Sequence, residues 1–373
     1  MLLDLSIKQL SEGLKNKRFS SLDLVNECYE SIDKLNPEIN AFITLLDKGE
    51  VIKKAKEADK KTKDNILQGM PFVIKDPFST KGIRTTAGSN VLGNYIPQYN
   101  STVYQKIIDA GAILIGKTNM DAWGHGASTE NTDFNPTKNP WDLTRVAGGS
   151  SGGNAAAITA RMAAFAIGED TGGSIRNPSG WCNITGLKVT YGRVSRYGVI
   201  SYVSSFDTMG PMAKNAEDCA IILKQIAGYD NKDATSYNGI VPDYVSLLDK
   251  NIQGKIIGMP KECFETGLDP EIKESLLTAA KTFENLGVKV IEISMPMLKF
   301  GVPVYYLIGT SETSTNLARY DGIRFGTSRD NFSEETIRRI MLGTFALSAG
   351  YYDAYYKKAQ QGRTLFIKEY QKA

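Results

Sequence analysis

STVYQKIIDAGAILIGKTN, residues 101–119, reads as a helix and a strand written end to end. The first half carries helical periodicity and stops at Gly111; the second, AILIGKTN, is a continuous apolar run of the kind a strand shows when it is buried on both faces. The unit returns as IKESLLTAAKTFENLG (272–287) followed by VKVIEISM (288–295), with another strand, KIIGMP (255–260), before it. PFVIKD (71–76) is a further strand, stopped by Pro77. Helices alternating with apolar, β-branched runs predict an α/β layered fold with a mainly parallel central mixed sheet flanked by helices.

Outward from this frame, Ser20 or Ser21 can cap a helix over SLDLVNECYESIDKL (21–35), and a Lys-rich exposed helix is expected over 49–63. The middle, 124–212, is dense in Gly, Ser, Thr and Asn yet not repetitive. It holds one expected helix, NAAAITARMA (154–163), and one strand, AFAIGED (164–170). Such a stretch suits a site built from loops on a rigid scaffold. From about 303 the chain reads as helical again, through IRRIMLGTFALSAGYYDAYYKKAQQG (337–362).

Forty-four basic against 41 acidic residues give a formal charge of +3, too balanced for a nucleic-acid surface on its own, so any RNA contact is expected to be local or through another protein. Cys28, Cys182, Cys219 and Cys263 form no C-x-x-C pair and have no histidine nearby, which argues against zinc and a disulfide framework and for a reducing compartment. There is no signal-peptide pattern and no apolar run of about 18 residues. A cytoplasmic protein is expected, with an organelle matrix as the alternative, and no membrane partner.

Two glycine loops carry the chemistry. GGSSGG, 148–153, meets the G-x-S-x-G pattern, but NPWDLTRVA before it is not a convincing strand and His125 precedes the serine, so a nucleophile elbow is rejected. No G-K-[ST] follows, which removes a phosphate loop. Alone, the segment reads as a turn capping the next helix. DTGGS, 170–174, follows an apolar strand, and its backbone N–H groups can converge on one anionic oxygen. A serine nucleophile needs a base. The single histidine, His125, reads as structural. Lys75 ends an apolar strand and is carried inward, where burial disfavours an ammonium ion and a lysine becomes a general base. The competing reading is a strand-end lysine reaching solvent or pairing with Asp76.

Taken together, Lys75, GGSSGG and DTGGSIR resemble the amidase signature family, whose Ser-cisSer-Lys triad needs no histidine. The resemblance implies that Ser174 is the nucleophile, Ser150 the bridging serine behind a cis Gly149–Ser150 peptide, and Lys75 the base. It implies an oxyanion hole from the N–H groups of Thr171, Gly172, Gly173 and Ser174. Residues 1–65 would be an N-terminal helical layer of the amidase signature domain at 66–373.

Within the family the likeness is to the glutaminase A-type subunits of glutamyl-tRNA(Gln) amidotransferases, over NMDAWGHGASTEN (119–131), KVTYGRVSRYGVISYVSSFDTMGPM (188–212), YYLIGTSETSTNLARYDGIRFG (305–326) and RRIMLGTFALSAGYYDAYYKKAQQGRT (338–364). That likeness implies glutamine as substrate, bound by Tyr305 and Arg339 with Arg338 as fallback. It implies no cofactor or metal in this chain, ATP and Mg²⁺ at a tRNA-binding B-type partner, a small C-type subunit, and tRNA met only through the partner. The chain departs from the family in ending before its usual C-terminus, so a C-terminal segment and an acidic residue for the glutamine amine are expected to be missing. The link from Gly326 to Arg338 is shorter than the family's, and Trp123-Gly124-His125-Gly126 alters the expected pocket wall. The alternatives are a stand-alone amidase of small amides and a non-catalytic scaffold with structural glycine loops.

Overall fold

The computed structural model describes residues 1–61, 64–265 and 267–373. Its N-terminal helices begin where side chains satisfy their first free N–H groups. Reciprocal capping boxes, Ser6 with Gln9 and Ser20 with Asp23, precede α1 (Ile7–Lys15) and α2 (Ser21–Ile39), so Ser20 and not Ser21 is the cap. Asn40, in the left-handed region at φ 57°, ends α2 and turns the chain into β1 (Phe42–Leu45). The Lys-rich helix, α3 (Lys48–Asp59), stops short of the expected 63; residues 62 and 63 lie outside the described residues.

The core is a six-stranded mixed sheet in the order β1-β3-β2-β6-β8-β7. β2 (Pro71–Lys75) is followed by α4 (Thr102–Asp109) and β3 (Ile113–Thr118), the helix and strand of the decisive stretch. After the hairpin β4 (Lys138–Asn139) and β5 (Asp142–Val146) come α5 (Gly152–Thr159), β6 (Phe165–Asp170), α6 (Arg176–Trp181), β7 (Thr185–Gly186), β8 (Thr208–Ala213) and α7 (Ala216–Ile226). Every residue of β2, β3 and β6 is buried, as continuous apolar strands require. Phe72 of β2 stacks on Phe165 of β6 at 5.4 Å between ring centroids; burying each such side chain contributes about 1.5–3 kcal/mol.

Parallel pairing is narrower than expected. It joins β3, β2 and β6 at the centre, whereas β1, β8 and β7 add antiparallel ladders to either side. NPWDLTRVA also differs from its reading, since Asp142–Val146 is a strand. Among the described residues it pairs only with β4, in a hairpin outside the central sheet, so it is not the strand that an elbow needs.

The described residues fall into two compact units, Met1–Val245 with Thr315–Arg339, and Ser246–Ser314 with Ile340–Ala373. In the second, β9 (Ile256–Pro260), α8 (Pro270–Asn285) and β10 (Lys289–Ile293) form a parallel pair in unbroken register around a helix capped by Asp269. The helical C-terminal region is three helices, α9 (Gly301–Leu317), α10 (Glu334–Leu347) and α11 (Lys358–Lys372), the last two separated by a turn at Gly350 (φ 85°). A Cβ on Gly343 would lie 1.9 Å from the Thr310 carbonyl oxygen, so only glycine lets α10 come this close to α9.

Candidate active site

Lys75 is the last residue of β2, and the parallel register of β2 with β6 brings the C-terminal ends of both strands to one edge of the sheet. The side chain is fully buried. Its Nζ donates to Ser150 Oγ at 2.8 Å, to Glu169 Oε2 at 3.3 Å and to the Glu169 carbonyl at 3.4 Å. The alternative pairing with Asp76 is not made. Asp76 Oδ2 instead accepts from the Thr86 N–H and hydroxyl at 2.7 and 2.5 Å, and Oδ1 lies 3.5 Å from Lys117 Nζ. Lys117 also donates to the Phe78 carbonyl at 2.9 Å and Thr85 Oγ1 at 2.7 Å; burial pushes its ammonium down to about 8 despite the Asp76 charge.

Ser150 is buried and follows a cis peptide from Gly149. A side chain at Gly149 is excluded, because its Cβ would fall 2.2 Å from Asp121 Oδ2 and 2.8 Å from the Ser128 nitrogen. The Gly149 N–H is held by Asn177 Oδ1 at 3.0 Å, and Ser151 donates its N–H to the Ser174 carbonyl at 3.1 Å, tying the two glycine loops together. Of the three predicted residues Ser174 is the one with surface access, 7% exposed against none for Lys75 and Ser150.

Asp170 shapes the second loop. Its carboxylate accepts from the Gly173 N–H at 2.9 Å, the Ile175 N–H at 3.1 Å, and Arg176 Nε and Nη2 at 3.0 and 2.9 Å. Burial pushes this carboxyl up, but the Arg176 and backbone hydrogen bonds prevail and hold it below the usual carboxylate range. The Gly173 N–H, one of four donors expected for an oxyanion, is thereby engaged. Thr171 is fixed through its hydroxyl, which donates to Asp207 Oδ1 at 2.7 Å.

The Asp207 carboxylate in turn accepts from Tyr202 N–H at 3.0 Å, and the Tyr202 hydroxyl accepts from Arg339 Nη1 at 2.7 Å. Arg339 is buried, with Nε on Glu335 Oε1 at 2.8 Å, while Arg338 points outward. The inward arginine is therefore the one linked, through Tyr202 and Asp207, to the Thr171 loop. His125 packs edge-on against Tyr202 at 4.8 Å; burial, then the Arg339 charge, push it well below the usual histidine range and keep it neutral. Tyr305 belongs to the second unit, half-buried and edge-on to Tyr306 at 5.5 Å.

Glu169, Asp207 and Tyr202 are absent from the sequence reading. Glu169 and Asp170 stood in plain view as two carboxylates ending a buried strand; Tyr202 and Asp207 gave no local signal. Among the described residues no group of three or more His, Cys, Asp or Glu side chains could hold a metal ion, and no helix is long and apolar enough to cross a membrane.

Residues 23–373 match the Amidase family model. The chain is 48% identical to the A-type subunit of the glutamyl-tRNA(Gln) amidotransferase of Thermoanaerobacter pseudethanolicus, with 100% of this chain and 80% of that protein covered. It is equally 48% identical to the corresponding protein of Desulfatibacillum aliphaticivorans, over 99% of this chain and 80% of the relative. Among solved structures it superposes on the corresponding protein from Thermotoga maritima with a TM-score of 0.83 at 38% identity, covering 100% of this chain and 77% of that one. The native peptide amidase of Stenotrophomonas maltophilia gives 0.81 at 27% identity, over 95% and 78%.

Proposed function

The chain belongs to the amidase family, and from that premise we propose that it is the glutaminase subunit of a glutamyl-tRNA(Gln) amidotransferase. The observation that carries the chemistry is the 2.8 Å hydrogen bond between Lys75 Nζ and Ser150 Oγ, in a fully buried pair, with the loop of Ser174 bonded to Ser151. Ser174 Oγ attacks the side-chain amide carbon of glutamine while its proton passes to Ser150 and the Ser150 proton to Lys75. The negative oxygen is received by the N–H groups of Thr171, Gly172 and Ser174, the Gly173 donor being held by Asp170. Lys75 returns the proton to the departing ammonia, and water then releases glutamate by the reverse relay.

Arg339 recognises glutamine, its guanidinium taking the α-carboxylate as a planar fork of donors; the assignment of Tyr305 to the substrate rests on the family resemblance alone. The identity to A-type subunits supports the remaining assignment. The ammonia passes to a tRNA-binding B-type partner that uses ATP and Mg²⁺ on Glu-tRNA(Gln), with a small C-type subunit completing the assembly. The test is ammonia release from glutamine with and without that partner, beside Ser174→Ala. Release that depends on the partner and on Ser174 is expected. Release from simple amides but not from glutamine would establish a stand-alone amidase instead.

A further inference from the structure

The three acceptors around Lys75 Nζ match the three protons of an ammonium ion, and two of the three come from one residue, Glu169. A base must present a lone pair to Ser150, so the carboxylate opposes the state the relay needs. We propose that Glu169 is a positioning residue that governs the proton on Lys75: its carboxylate accepts from the Lys75 ammonium and so opposes the lone pair that the relay needs. This rests on the triad reading given above.

Among the described residues Glu169 is the carboxylate that pairs with Lys75, the other carboxylates nearby being held elsewhere. Asp170 is taken by Arg176, Asp207 by Ser201, Thr171 and the Tyr202 and Val203 N–H groups, and Asp121 by the Thr129 and Asn131 N–H groups. These three carboxylates are the other charged groups that bear on the pair. Glu169 Oε1 is buried without a hydrogen-bond partner among the described residues, so this carboxylate is held by Lys75 through one oxygen only. Burial pushes its carboxyl up to about 7 against the pull of Lys75, with Asp207 and Asp170 adding to the rise.

The experiment follows the rate at which a fluorophosphonate labels Ser174 in the full chain as pH is raised, in the wild type, Glu169→Gln and Glu169→Asp, with Ser174→Ala as control and thermal unfolding as the check of folding. An opposite charge at this distance moves a titration by about 1 to 3 pH units, so Glu169→Gln should shift the ascending limb that far toward lower pH. Glu169→Asp, which draws the charge back by one methylene, should shift it less in the same direction, and decides the matter if the glutamine variant does not fold. A limb that stays in place in the folded variants, whatever the rate, overturns the proposal and leaves the triad standing. Labelling that persists in Ser174→Ala, or is absent from the wild type, overturns the triad reading itself.

Discussion

Replacing Asp170 by Asn tests whether the nucleophile loop is held by this one carboxylate. Oδ1 serves the Gly173 N–H and Arg176 Nη2, and Oδ2 serves the Ile175 N–H and Arg176 Nε. Each oxygen meets only donors, so an asparagine amide turned either way sets its NH₂ against a backbone N–H and an arginine N–H. Arg176 is 52% exposed and its side-chain nitrogens can turn to water, so what is stranded is the backbone: the Gly173 N–H on the Oδ1 side, or the Ile175 N–H with the more distant Arg176 N–H on the Oδ2 side. One such group costs about 1–3 kcal/mol. The loss should appear as a lower denaturation midpoint at unchanged slope. It should fade in acid: a carboxyl with a depressed folded value adds stability above its unfolded value of about 3.9, and that stability is lost as pH falls through the folded value. Since Ser174 lies between two of the anchored N–H groups, a shift of about 1 Å would lower glutamine turnover by roughly 10²-fold. Wild-type stability together with wild-type turnover in Asp170→Asn would refute this account of the loop.

Lys117→Met strands Asp76 in the core and should cost about 3–5 kcal/mol in chemical unfolding, with part regained when Asp76→Asn is added. Arg339→Lys loses the planar fork and its Tyr202 and Glu335 contacts, so KM for glutamine should rise, while Arg338→Ala leaves it unchanged; equal effects of the two would remove Arg339 from recognition. His125 is buried neutral, and a histidine with a depressed folded value withdraws stability as pH falls below about 6.5, by up to 1.4 kcal/mol per pH unit. Glu169 titrates in the opposite sense nearby, so the readout is the difference between wild type and His125→Phe, which should widen in the variant's favour as pH drops.

What could be read from the sequence depended on whether a residue's own neighbours carried the information. Strands 71–75, 113–118 and 165–170 are apolar runs bounded by turn residues, and buried strands must look so. β8 escaped notice because Gly210 and Pro211 break its pattern, although all six of its residues are buried. β5 escaped for the opposite reason: it is polar and half exposed in a hairpin. The balance of parallel and antiparallel ladders was illegible for a third reason, since strand direction follows from where each connection lands. Of the site, Lys75 and the two glycine loops were legible because a lysine closing an apolar strand and paired glycines beside serine are locally odd. The Arg339–Tyr202–Asp207–Thr171 chain joins residues far apart in sequence, each unremarkable where it stands.

The buried charges at the sheet edge show why local reading fails there in a regular way. Lys75 and Asp76 are adjacent, as are Glu169 and Asp170, and adjacency invites pairing within each couple. Glu169 and Asp170 are successive residues of an extended strand and point to opposite sides, while Asp76 opens the turn after β2, so each couple is split instead. Lys75 meets Glu169, Asp76 meets Lys117 and Asp170 meets Arg176. One pair therefore holds the proposed base, while the other two brace the turn after β2 and the loop after β6. The division is testable, because Lys117→Met should lower stability without moving the pH limb of Ser174 labelling, and Glu169→Gln should move the limb. If both moved it alike, the edge would be a single electrostatic cluster and the assignment of Glu169 to Lys75 would lose its specificity.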